Sequence, residues 1–138
     1  MDTPIWLKPE DRPDDSFDDQ TVNRVELVGY VGQDPELRFT RNEELVVTFS
    51  LATHRLLRNG EGLVTQLTDW HRIVARGEVA GTASQIRKGA LVKITGQLRT
   101  RSWETRQGEQ RIAIEVNAWT LNQVRRAPVF RQVPLPLR

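Results

Sequence analysis

Cysteine is absent from this chain of 138 residues, which excludes a disulfide framework and any thiolate metal site. Histidine occurs only twice, as His54 and His71, with no HExxH pair, phosphate loop or carboxylate pair around them. Asp69 and His71 lie two apart on one strand, and without a nucleophile they form a hydrogen-bond pair at most. No enzyme, no cofactor and no metal site are therefore expected. No apolar run approaches the roughly 18 residues of a membrane-spanning helix. The opening Met1-Asp2-Thr3-Pro4-Ile5-Trp6 has neither the basic nor the apolar region of a secretion signal. A cytoplasmic protein with no membrane partner is the expectation.

Charge is unevenly spread. Residues 1–20 carry seven carboxylates against Lys8 and Arg12, a balance of −5, which leaves +7 on the rest of a chain whose net charge is +2. From Arg125 onward there are four arginines and no acid. This pattern suits either a basic nucleic-acid-binding body with an acidic appendage or a soluble domain with solvated ends. Three units are expected: an acidic, disordered N-terminal extension (1–20), a folded domain (21–124) and a basic, proline-containing tail (125–138).

The body reads as β-structure. Val25, Leu27, Gly29 and Val31 alternate with Arg24, Glu26, Val28 and Tyr30, as in a strand with one buried face. Gly32-Gln33-Asp34-Pro35 is a turn, Glu36–Thr40 a short extended continuation, and Asn42-Glu43-Glu44 a reversal. Leu45–Thr53 is apolar on both faces and predicts a central strand with Phe49 in the core. Residues 54–66 read as a polar loop and Leu67–Arg76 as the next strand. Glu78–Arg87 is the one helix, with Val79, Ala83 and Ile86 on one face and Lys88-Gly89 closing it. Ala90–Trp103 and Arg111–Val116 form the last two strands around a tip at Gln107-Gly108-Glu109. Five strands with one short helix between the third and fourth predict an all-β, five-stranded OB-fold, a Greek-key barrel that commonly binds oligonucleotides.

Two strand segments set a tryptophan among arginines: Asp69-Trp70-His71-Arg72-Ile73-Val74-Ala75-Arg76 and Gln97-Leu98-Arg99-Thr100-Arg101-Ser102-Trp103. An indole can stack on any base and a guanidinium can hold the adjacent phosphate, so the pair suits single-stranded nucleic acid without sequence preference. One such cluster alone is more often a core tryptophan beside solvated arginines; two in one small β-rich chain favour the binding reading. Tyr30 and Phe39 fit either the barrel wall or the surface, and Trp119 either a barrel cap or a subunit contact.

In order and at suitable spacing, Val22–Arg38, Phe49-Ser50-Leu51-Ala52-Thr53, Asp69–Val74, Arg87-Lys88-Gly89, Gly96–Trp103 and Glu115-Val116 resemble segments of the bacterial single-stranded DNA-binding (SSB) family over about residues 22–121. The resemblance implies an OB-fold that coats and protects single-stranded DNA in replication, recombination or repair. It implies stacking on Trp70 and Trp103, with basic contacts from Arg38, Arg72, Arg87, Lys88, Arg99 and Arg101. Arg55 and Arg58, in the polar segment, join the candidate phosphate contacts. The resemblance also places His71 near a subunit interface and implies self-association, as a homotetramer or a dimer.

Two departures stand out. Where well-known members stack two further aromatics, this chain carries Leu57 and Arg76. A guanidinium plane can itself stack on a base, so Arg76 is a candidate platform, and weaker or more salt-sensitive binding is expected. The family's acidic, phenylalanine-ended C-terminal tip, which recruits replication and repair proteins, has no counterpart in Pro128–Arg138. An acidic segment with an aromatic, Asp14-Asp15-Ser16-Phe17-Asp18-Asp19, lies at the other end. It reads as an internal competitor for the DNA groove, a relocated partner peptide or a solubilising leader, and the basic tail as extra phosphate contacts or a spacer. The rival reading is an OB-fold adaptor of the primosome type, whose main role is protein–protein interaction. A plasmid, phage or DNA-uptake paralogue is a further variant of the binding reading.

Overall fold

Alternation of apolar and polar residues from Val25 onward puts Leu27, Gly29 and Val31 on an inward face, and in the computed structural model, which describes residues 21–128, this stretch is strand β1 (Val25–Val31). After the turn at residues 32–35 the chain resumes as β2 (Glu36–Phe39), followed by β3 (Leu45–Arg58), β4 (Val64–Arg76), helix α1 (Glu78–Ala83), β5 (Leu91–Glu104) and β6 (Gln110–Arg125). The sheet order is β1-β5-β6-β4-β3-β2, and an additional β1–β3 pairing closes it into a barrel. Both β1, through Tyr30 and Val31, and β2, through all four of its residues, pair antiparallel with β3. They are therefore two pieces of one interrupted first strand, and the barrel has the expected five staves. The helix then falls between the third and fourth, and β4 and β6 meet in parallel at Ile73↔Val116. This is the OB-fold barrel.

Closure requires Gly29. A side chain there would start 2.3 Å from the Ala52 carbonyl oxygen, so only glycine lets β1 approach β3 this closely. Inside, Val47, Phe49, Leu51, Ile73, Val92, Ile94 and Val116 form the core, and Phe49 is buried as expected. α1 lays Ala80 and Ala83 on this core.

Three boundaries differ from the sequence expectation. The helix ends at Ala83, not Arg87: beyond it, Gln85 and Ile86 donate to Thr82 and Ala83 carbonyls in tight turns that still deliver Ile86 to the core. Residues 54–66 are not a loop. β3 and β4 run on past the barrel as a two-stranded arm, register-paired to Arg58↔Val64, and the chain reverses only at residues 59–63. There the Asn59 side-chain oxygen accepts from the Glu61 and Leu63 amides. The last strand extends to Arg125, which belongs to the barrel rather than to the tail: it pairs with Leu91 and donates from Nη2 to the Tyr30 hydroxyl at 2.8 Å. The acidic segment with Asp14, Asp15, Phe17, Asp18 and Asp19, and the tail beyond Pro128, lie outside the described residues.

Candidate nucleic-acid interface

The period of two along β4 sorts its side chains. His71, Ile73 and Ala75 have inward parity, whereas Trp70, Arg72 and Arg76 stand on the outer face and are exposed. Trp70 is 61% exposed, and its six-membered ring lies over Gly32: a Cβ there would be 2.4 Å from Cζ3 and 2.8 Å from Ser50 Oγ. Gly32 thus leaves room for the indole to rest against the barrel with much of its surface open. Trp70 and Arg72 border a depression of about 370 Å³ shared with Asp34 and Glu36.

From Arg72 the face continues across β6 to β5. Arg72 Nε donates to Glu115 Oε2 at 3.0 Å, and Arg101 Nε approaches the same oxygen at 3.7 Å. The Arg101 guanidinium carbon in turn sits 4.7 Å from the centroid of the Trp103 ring, a cation–π arrangement. β5–β6 register puts Arg99 opposite Glu115, Arg101 opposite Ala113 and Trp103 opposite Arg111, so all share one side of that hairpin. Trp103 remains 41% exposed. The two tryptophans of the two sequence clusters therefore belong to one cationic face, joined through Arg72, Glu115 and Arg101.

Other candidates are placed differently. Arg38 and Arg76 lie on the same outer face at the far end of β4, in one cross-strand row with Val46 between them. Lys88 is exposed, and its backbone amide donates to Asp34 Oδ1 at 2.8 Å, beside the Trp70 depression. Arg87 turns its guanidinium onto the carbonyls of Ser84 and Ile86 and lines a separate depression with Gln123 and Arg126. Arg55 is held by Asp69 at 2.8 Å on the β3–β4 arm, while Arg58, near its tip, makes no ion pair among the described residues. Asp69 thus pairs with Arg55 and not with His71, whose Nε2 is 2.8 Å from Thr53 Oγ1. Leu57 is 54% exposed on the same arm.

Two residues of the face escape a sequence reading. Glu115 is the carboxylate that holds Arg72 and Arg101, yet it lies 43 residues from Arg72 and only the β4–β6 contact unites them. Arg111 faces Trp103 through hairpin register and is paired with Glu109 at 2.7 Å. Counting back from the Gln107-Gly108 tip finds Arg111; no comparable signal finds Glu115. Among the described residues no group of three or more His, Cys, Asp or Glu could hold a metal ion, and no helix is long and apolar enough to cross a membrane.

Comparison with known proteins agrees with this geometry. Residues 22–124 match the model of the single-strand binding protein family. Single-stranded DNA-binding protein 1 of Chlorobaculum tepidum is 42% identical over 97 residues; the match covers 69% of this chain and 60% of that protein's length. Among solved structures, the Plasmodium falciparum SSB complex with ssDNA superposes with a TM-score of 0.71 at 29% identity, covering 78% of this chain and 99% of that one. A deletion mutant of the single-stranded DNA binding protein from Thermus aquaticus gives a TM-score of 0.67 at 25% identity, over 75% of this chain and 50% of that one. With its barrel, its helix and its Trp–Arg face within the matched residues, the chain belongs to the single-strand binding protein family.

Proposed function

We propose that this protein binds single-stranded DNA without sequence preference, stacking bases on Trp70 and Trp103 and holding the backbone with the arginines between and beside them. The observation that carries this is the outer face on which Trp70, Arg72, Arg101 and Trp103 follow one another across β4, β6 and β5. It also fits the relatives, named for single-stranded DNA binding or solved with it. Indole faces accept any base, so affinity depends little on sequence; a duplex keeps its bases stacked on each other and offers them no face. Phosphate neutralisation releases counterions, so binding weakens with salt. Coating and protecting strands during replication, recombination or repair is the biological role this chemistry suits.

Self-association as a homotetramer or dimer belongs to the same reading. What supports it is β1, whose outer face leaves Val28 49% and Tyr30 37% exposed. The test is a titration with oligo(dT) and with a duplex of equal length, followed by tryptophan fluorescence. Quenching by the single strand alone, fading as salt rises, is expected. No quenching and no binding at low salt would discard the reading in favour of the protein-binding adaptor.

A further inference from the structure

The β5–β6 hairpin leaves the barrel with one edge uncovered. β1 accompanies β5 only as far as Val25↔Gly96, and from Gln97 to Glu104 the one strand beside β5, among the described residues, is β6. Asn23 takes the next place: its Nδ2 donates to the Leu98 carbonyl at 2.8 Å, and its Oδ1 accepts from the Leu98 amide at 2.9 Å. A side-chain amide thus makes both bonds of a strand pair, so the Leu98 backbone groups point away from β6. By the period of two, those of Thr100 and Ser102 point the same way. Among the described residues neither has a backbone partner on that side. The two faces beside this edge differ. Arg99, Arg101 and Trp103, with Arg111 across the hairpin, stand on one, and Arg99 makes no ion pair among the described residues. On the other, Leu98, Ile112 and Ile114 are 47%, 69% and 65% exposed.

An edge with unpaired N–H and C=O groups is a template for another strand. Side chains of an added strand alternate between the two faces, so carboxylates at every second position meet the arginines and apolar side chains between them meet the isoleucines. We propose that Leu98–Glu104 is a docking edge for an extended segment of a partner protein in which acidic and apolar residues alternate. The segment adds to β5 as a further strand, bonded through Thr100 and Ser102. A second copy of this chain fits worse. Full antiparallel overlap of two such edges sets Arg101 opposite its own equivalent, and like charges directly opposite are unfavourable. The chain's own Asp14–Asp19 lacks the alternation, because its carboxylates fall in adjacent pairs. The docking edge stands without the single-stranded DNA reading, although its occupant's carboxylates meet Arg99 and Arg101, which that reading gives to phosphate. Partner and DNA therefore exclude one another along this stretch.

The probe is a synthetic peptide, blocked at both ends, that alternates glutamate with valine and is as long as Leu98–Glu104. It is added to the full chain without DNA, and amide hydrogen exchange is followed by NMR. The Thr100 and Ser102 amides are expected to exchange freely in the protein alone and to slow roughly 10-fold when the peptide stands at about ten times its Kd. Methylating one alternate set of peptide nitrogens, the set that faces β5, should abolish binding; methylating the other set, which faces solvent, should leave it. Ser102→Pro removes a donor from the open side, where an edge strand tolerates proline, and should lower peptide affinity roughly 2- to 12-fold with Tm unchanged. If that variant does not fold, the methylated peptides, which need no change in the protein, decide. Equal binding of both methylated peptides would reduce the contact to charge and overturn the docking edge, as would no binding of the parent peptide. Thr100 and Ser102 amides already slow without peptide would overturn it too. The edge would then belong to residues 1–20 if the slowing is independent of protein concentration, and to a second copy if it grows with it.

Discussion

Replacing Glu115 by glutamine is expected to tighten DNA binding, although it removes two ion pairs. The carboxylate is only 14% exposed and holds Arg72 at 3.0 Å and, more loosely, Arg101 at 3.7 Å. The tightening requires that the carboxylate stand where a phosphate would lie in a complex, so that a bound strand must draw both arginines from it. Pairs this exposed on the arginine side are each worth up to about 1 kcal/mol. Removing the competing charge therefore gains up to about 2 kcal/mol, or up to roughly 30-fold in affinity at low salt. The slope of log affinity against log salt steepens by about 0.7 for each arginine released to a phosphate, so by about 0.7 to 1.4 in all. Glutamine keeps the size of the side chain and an oxygen that accepts from Arg72 Nε, so the β4–β6 contact survives. The assay is a series of oligo(dT) titrations from low to moderate salt, with thermal melts as the folding control. A Glu115→Gln protein that melts normally but binds no tighter, with an unchanged salt slope, would refute the idea that this carboxylate stands in for phosphate.

Gly32→Ala places a methyl group 2.4 Å from Trp70 Cζ3 and so must displace the indole. DNA affinity and Trp70 quenching should fall together, and unchanged titrations would show that the seat on Gly32 is immaterial. Leu51→Ala, at a fully buried core position, should cost about 2–5 kcal/mol and lower Tm by roughly 10 °C or more, measured by circular dichroism; a shift of a degree or two would contradict the barrel core described above.

The parts of the fold legible in the sequence are those with one buried face. β1 and the barrel half of β3 announce themselves because Leu27, Val31, Val47 and Leu51 must alternate or cluster to fill the interior. The β3–β4 arm is hidden for the opposite reason. From His54 to Gln66 all side chains are exposed, so the segment has no hydrophobic period and its polar residues resemble a loop. The sequence pattern carries the helix on to Arg87 because Ile86 reaches the core whether a helix or a tight turn delivers it, and periodicity cannot tell the two apart. In the candidate interface, Trp70, Arg72, Arg101 and Trp103 were legible as residue types at strand spacing. Glu115 was not, because its partners come from other strands through sheet order. Arg87 shows the converse: as a sequence element it resembles the other arginines, but local turn carbonyls capture its guanidinium.

The most direct test of a shared stacking face uses proteins that retain a single tryptophan. With the remaining tryptophans changed to phenylalanine, one variant keeps Trp70, a second keeps Trp103 and a third keeps Trp119 as control. Saturating oligo(dT) should strongly quench the first two and leave the third little changed, since Trp119 lies outside the Trp70–Trp103 clusters. Binding without quenching of either Trp70 or Trp103 would mean that the strand passes elsewhere, and would contradict the central claim.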